Sequence, residues 1–125
     1  MHHVLEVGPG KGMLTKYLIE KEFEFKAVEA DRDMVSYLNE HYPALKDKII
    51  SEDFLKVKLD EVFDNQPLAL IGNYPYNISS QIIFKMIDYK DLVPEMVGMF
   101  QKEVAERIVA GPGSKTYGVI SVLAQ

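Results

Sequence analysis

Six short strand-like runs divide this chain, at residues 4–7, 23–30, 48–52, 68–72, 96–100 and 119–125, and the stretches between them mostly carry apolar residues at helical spacing. Regular alternation of this kind leaves little choice of fold: a parallel sheet with right-handed helical crossovers. After the first run, Leu14, Tyr17 and Leu18 recur from Met13 as the apolar face of a helix. Asp31 is a good N-cap for a second helix carrying Met34, Val35 and Leu38, which Tyr42-Pro43 should end. Residues 53–64 read as a loop or short helix. Ser79 or Ser80 should cap a helix that sends Ile82, Ile83, Met86 and Ile87 to the core, and a further helix is expected over 101–110, followed by a loop to 118.

With 125 residues, 47% of them apolar, the chain fits one domain with a real core. No apolar run approaches the roughly 20 residues needed to span a bilayer, so a soluble, cytoplasmic protein is expected. There is no cysteine, and His2, His3 and His41 have no metal-ligand spacing. The net charge of −5 argues against a self-sufficient nucleic-acid binder, which normally shows a basic face; a nucleic-acid substrate would require a basic surface from elsewhere. Residues 1–3 read as start or cloning residues and the last strand stops without a turn. The expectation is therefore a partial domain over residues 4–125, truncated at both ends.

In such a sheet, ligands bind beyond the carboxyl ends of the strands. Four chemically loaded spots fall there. The first is Glu6-Val7-Gly8-Pro9-Gly10-Lys11-Gly12. Its glycines let backbone approach a ligand, and the helix that follows favours negative charge. The spacing is Gly-x-Gly-x-Gly, not the dinucleotide fingerprint. Glu6 would repel a pyrophosphate but suits an amino group, so a ligand with both an ammonium and a carboxylate, such as the methionine end of S-adenosylmethionine, fits better than a dinucleotide. The second spot is Glu29-Ala30, with Glu29 placed 21 residues after Gly8, close to the offset at which an acid accepts ribose hydroxyls. The third is Asp53-Phe54, where a carboxylate and the next backbone N–H suit an adenine edge, or where Asp53 simply caps a helix. The fourth is Asn73-Tyr74-Pro75-Tyr76, directly after the apolar run 68–72: a carboxamide, a rigid proline and a ring suited to the edge and face of a nucleobase, or an ordinary strand-ending turn.

Taken together, these residues resemble the class I methyltransferases, and residues 4–125 resemble one branch, the ribosomal RNA small-subunit adenine N6-dimethyltransferases, related to the erythromycin-resistance rRNA methylases. The match runs through residues 4–12, Glu29-Ala30-Asp31, Asp53, residues 73–79, Gln101-Lys102-Glu103-Val104-Ala105 with Arg107, and Tyr117-Gly118 leading into Ser121-Val122. The resemblance implies a Rossmann-like sheet with helices on both faces. It implies that Glu6, Gly8, Gly10, Gly12, Glu29, Ala30, Asp53, Phe54 and Asn73 hold S-adenosyl-L-methionine, and that Asn73, Tyr74, Pro75 and Tyr76 handle the target adenine. Small-subunit ribosomal RNA, in the immature subunit, is the implied partner, with a monomeric full-length protein. Position 74 is usually Leu in the family and here is Tyr, a residue expected to contribute its backbone carbonyl. The family's N-terminal segment, seventh strand and helical RNA-binding domain have no counterpart in these residues. Lacking the antiparallel neighbour, residues 118–125 must pair elsewhere, stay loose or meet another chain.

The chemistry accounts for an Asn, a carbonyl and a ring. Adenine N6 is a poor nucleophile because its lone pair is delocalised, so geometry must make the difference. Hydrogen bonds from N6–H to the Asn73 carboxamide and the Tyr74 carbonyl would turn the lone pair towards the methyl group, Pro75 would restrict the backbone, and Tyr76 would stack on the extruded base. No metal is required. Two other readings remain open at this level: a non-catalytic RNA- or ribosome-assembly factor, and a DNA adenine N6-methyltransferase.

Overall fold

The computed structural model describes residues 3–74, 79–100 and 119–124, with backbone alone at Asn73, Ser79, 98–100 and 119–124. Six parallel strands form one sheet in the order β3-β2-β1-β4-β5-β6: β1 (His3–Val7), β2 (Glu24–Val28), β3 (Ile49–Ile50), β4 (Ala69–Asn73), β5 (Glu95–Phe100) and β6 (Val119–Ala124). Between them lie α1 (Thr15–Leu18), α2 (Arg32–His41), α3 (Leu59–Val62) and α4 (Ser79–Asp88), with single 3-10 turns at Pro43–Leu45 and Phe54–Lys56. The strand order reverses between β1 and β4, so the crevice where such folds take ligands opens above these two strands.

Because side chains alternate along a strand, the central strands feed two cores. Leu5, Val7, Val28 and Leu70 face α3 and α4, where Leu59, Val62, Ile82, Met86 and Met96 complete a cluster. Val4, Phe25, Ala27 and Ala69 face the other way and pack with Leu38 of α2 and Leu45 of the first 3-10 turn. Full burial of a Leu, Ile or Met contributes about 1.5–3 kcal/mol, and Leu5, Leu70, Ile82 and Met86 are wholly inside. Lys26 in β2 is accommodated by turning its ammonium out to the Val62 carbonyl at 2.8 Å, over the Phe63 ring.

Asp31 caps α2 as expected, its Oδ1 accepting the N–H of Asp33 at 2.8 Å and of Met34 at 3.4 Å. Several expectations need correction. The helix after the glycine turn is only four residues long, and the residue it buries is Thr15; Leu14 and Tyr17 face outward, with only Leu18 packing inward. The strand expected over 23–30 stops at Val28, and that expected over 48–52 pairs only at Ile49 and Ile50, because the Glu52 N–H turns back to the Ile50 carbonyl and peels the chain from the sheet. At the far edge, β6 pairs directly with β5 in parallel, from Glu95↔Val119 to Phe100↔Ala124, so the last strand does pair elsewhere. The helix expected over 101–110 and the loop to 118 lie outside the described residues.

Candidate active site

The first βα turn is built on left-handed backbone. Gly8, Gly10 and Gly12 have φ of 66°, 56° and 83°, a region that costs an L-residue about 1–2 kcal/mol. Each glycine has a different surrounding. The Gly8 N–H continues the ladder to the Val28 carbonyl at 2.9 Å. A Cβ on Gly10 would point into open space, whereas one on Gly12 would lie 2.8 Å from the Tyr42 ring and 3.2 Å from Leu38. Gly12 is thus turned towards α2 and Gly10 towards open space.

Two carboxylates stand behind this turn. Glu29 is buried; its Oε1 accepts the Gly10 N–H at 3.0 Å and its Oε2 accepts the Asp31 N–H at 3.0 Å. One side chain therefore ties the turn after β1 to the turn after β2, and each oxygen keeps a second lone pair for a ligand. Glu6 is 2% exposed, and the buried Thr15 hydroxyl donates to its Oε1. Burial pushes the Glu6 carboxyl up to about 7; the Thr15 hydrogen bond opposes that shift and the Glu29 carboxylate adds to it. A buried acid with a negative neighbour is an electrostatic seat for a cation, since an ammonium placed there would relieve both effects. Ala30 lies exposed between β2 and α2.

The third spot sits at the end of β3. Asp53 is exposed and caps the Phe54–Lys56 turn, its Oδ1 accepting the Leu55 N–H at 3.0 Å, while its Oδ2 accepts no hydrogen bond among the described residues. Phe54 packs inside, beneath the ammonium of Lys85. The cap and an open carboxylate edge coexist in Asp53.

On β4, Val7 pairs with Gly72, so the chain leaves β1 at Gly8 beside the point where Asn73 ends its strand. Gly72 is needed for that approach, because a Cβ there would press into the Val7 carbonyl oxygen. The Tyr74 ring is buried and its hydroxyl donates to the Val97 carbonyl at 2.9 Å. With its ring committed to the core, Tyr74 has only its backbone to offer a ligand. Pro75 and Tyr76 lie outside the described residues.

The structure brings Glu6, Gly8, Gly10 and Glu29 to one end of the sheet, with the end of β4 beside them and Asp53 at the end of β3. Reading the sequence for apolar faces passed over Thr15, Gly72 and Lys85. A signal for Thr15 was present: an acid inside a core strand needs a donor, and the helix after the glycine turn is the nearest element to supply one.

The sequence and the fold are shared with known proteins. Residues 1–125 match the family model described as ribosomal RNA adenine dimethylase. Proteins called ribosomal RNA small subunit methyltransferase A from Phocaeicola vulgatus and Bacteroides fragilis are 62% and 63% identical over 122 residues, 98% of this chain but 44% and 45% of theirs. The crystal structure of a dimethyladenosine transferase from Plasmodium falciparum superposes with a TM-score of 0.71 at 31% identity, covering 94% of this chain and 42% of that one. The chain spans about half the length of the curated relatives it matches.

Proposed function

The chain belongs to the ribosomal RNA adenine dimethylase family, and from that premise we propose that it is the donor-binding and catalytic part of a cytoplasmic enzyme that transfers methyl groups from S-adenosylmethionine to N6 of adenines in small-subunit ribosomal RNA, dimethylating two adjacent adenines. The observation that carries this reading is the cluster at the head of β1 and β2. A buried acid of raised pKa, a glycine with open space beside it and a second acid bonded to that glycine stand together at the end of β1, next to the point where the strand order reverses. This is a seat for an ammonium and a ribose, not for a pyrophosphate.

Each residue has a defined task in that role. Glu6, steadied by Thr15, holds the amino group of the donor; Glu29 holds the ribose hydroxyls; Asp53 accepts from the exocyclic amino group of the adenine moiety, beside the Phe54 backbone N–H. Once bound, S-adenosylmethionine supplies an activated methyl group on a sulfonium. At the end of β4, Asn73 and the Tyr74 carbonyl accept from N6–H of the target base and orient its lone pair, with Tyr76 stacking on the base plane. Orientation of this kind is worth up to about 7–11 kcal/mol of barrier, so no metal or strong base is needed. The N6 proton leaves to water after transfer. A monomethylated N6 keeps one hydrogen and a lone pair, which permits a second round.

In the full-length protein, Asn73→Ala should abolish methyl transfer to small-subunit ribosomal RNA while S-adenosylmethionine affinity stays within about threefold, the separation expected when an interaction is made chiefly with the acceptor. Retained transfer would overturn the assignment. Offering ribosomal RNA and duplex DNA with labelled donor distinguishes this activity from DNA methylation and from a purely binding role.

A further inference from the structure

Lys85 occupies a position on α4 between the wholly buried Ile82 and Met86, and its ammonium turns inward across the helix to the turn after β3. It donates to the carbonyls of Phe54, at 2.5 Å, and of Val57, and it lies 4.8 Å from the centroid of the Phe54 ring. The Phe54 carbonyl also accepts the Val57 N–H at 3.2 Å, so one ammonium closes both ends of this turn. Asp53 is the residue that caps the same turn. Its free carboxylate edge is therefore aimed by a turn that its own cap clamps from one side and Lys85 from the other. Burial lowers the Lys85 pKa, and the nearby Asp53 and Glu52 carboxylates counter that by favouring the charged form.

We propose that Lys85 is a positioning residue for the adenine moiety of the methyl donor: by clamping the Phe54 and Val57 carbonyls it holds Asp53 at the register that selects a 6-amino purine over a 6-oxo purine. This deepens the reading above and rests on its assignment of Asp53 and Phe54 to that moiety. Selectivity follows from charge and proton count. A carboxylate accepts from a 6-amino group but meets only acceptor lone pairs on a 6-oxo group.

The test is calorimetric titration of the full-length protein with S-adenosylhomocysteine and with S-inosylhomocysteine, its 6-oxo counterpart. Wild type should prefer the adenosyl compound by at least about tenfold, the scale of one hydrogen bond to a charged group. Lys85→Met keeps the apolar stem and removes the donor; it should weaken the adenosyl compound about tenfold and bring the preference to within about threefold, with kcat at saturating donor changed less than about twofold. Lys85→Arg, which restores donors, should recover part of the preference. Should Lys85→Met not fold, Lys85→Leu, which likewise lacks a donor, carries the same comparison. A merely structural lysine would weaken both compounds equally or leave the preference intact, and either result overturns the proposal. If instead wild type shows no preference and Asp53→Ala changes neither affinity, the adenine assignment itself fails and the proposal with it.

Discussion

Glu6 works under a constraint that its neighbours set. Its carboxyl is raised from 4.5 to about 7, so between those values the folded state binds a proton that the unfolded chain has released. Stability should therefore fall as pH rises from 4.5 to 7 and level off above, by roughly 3 kcal/mol in all. Glu6→Gln should flatten that part of a stability profile measured by urea denaturation at successive pH values. An ammonium bound at Glu6 reverses the shift, so donor affinity should climb as pH rises to about 7, then decline once the ligand's α-amino group, near 7.7–8.0 in such amines, loses its proton. A flat titration series across this range would contradict the placement of the ammonium. Thr15→Val leaves the buried carboxyl without its donor; a loss of about 1–3 kcal/mol in stability and weaker donor binding are expected, with Thr15→Ser close to wild type.

At the scale of elements, the site depends on how closely β1 and β4 approach where both strands end. Gly72 permits that approach because its missing Cβ would fall on the Val7 carbonyl oxygen, a backbone atom held in the ladder that has no rotamer with which to yield. Gly72→Ala should destabilise the protein by more than about 2 kcal/mol, read from the urea midpoint, and should reduce donor affinity by displacing Gly8 from Asn73. Strands and long helices were legible in the sequence because apolar period and end signals coincide: Asp31 begins α2, and Ile82 and Met86 mark the inner face of α4. The short helix α1 was not legible in the same way. Its apolar residues Leu14 and Tyr17 point outward because the inward position is taken by Thr15, whose hydroxyl donates to the carboxylate of Glu6, 9 positions earlier on β1, a partner that apolar periodicity does not mark.

For the molecule as a whole, charge and site divide the work of binding. The chain carries a net charge of −5, while the cluster at the sheet's end is suited to a zwitterionic donor rather than a polyanion. Expressed as the 125 residues alone, it should bind small-subunit ribosomal RNA at least about tenfold more weakly than the full-length protein at roughly 0.15 M salt, measured by filter retention. Equal retention would mean that the basic surface is already present in this chain. The parallel pairing of β6 with β5 is likewise a property of the assembled sheet, since a strand pattern states that residues 119–124 are extended but not which neighbour they choose.

By itself, the sequence determined the alternation of strands and helices, the glycine turn, and the acids and amide that stand at strand ends, because each depends on local period or on residue chemistry at short range. Tertiary structure decided which of these residues meet. Glu29 reaches the Gly10 N–H across 19 positions and Lys85 reaches the Phe54 carbonyl across 31. Such contacts follow from the order in which the strands pair, and no local pattern encodes that order.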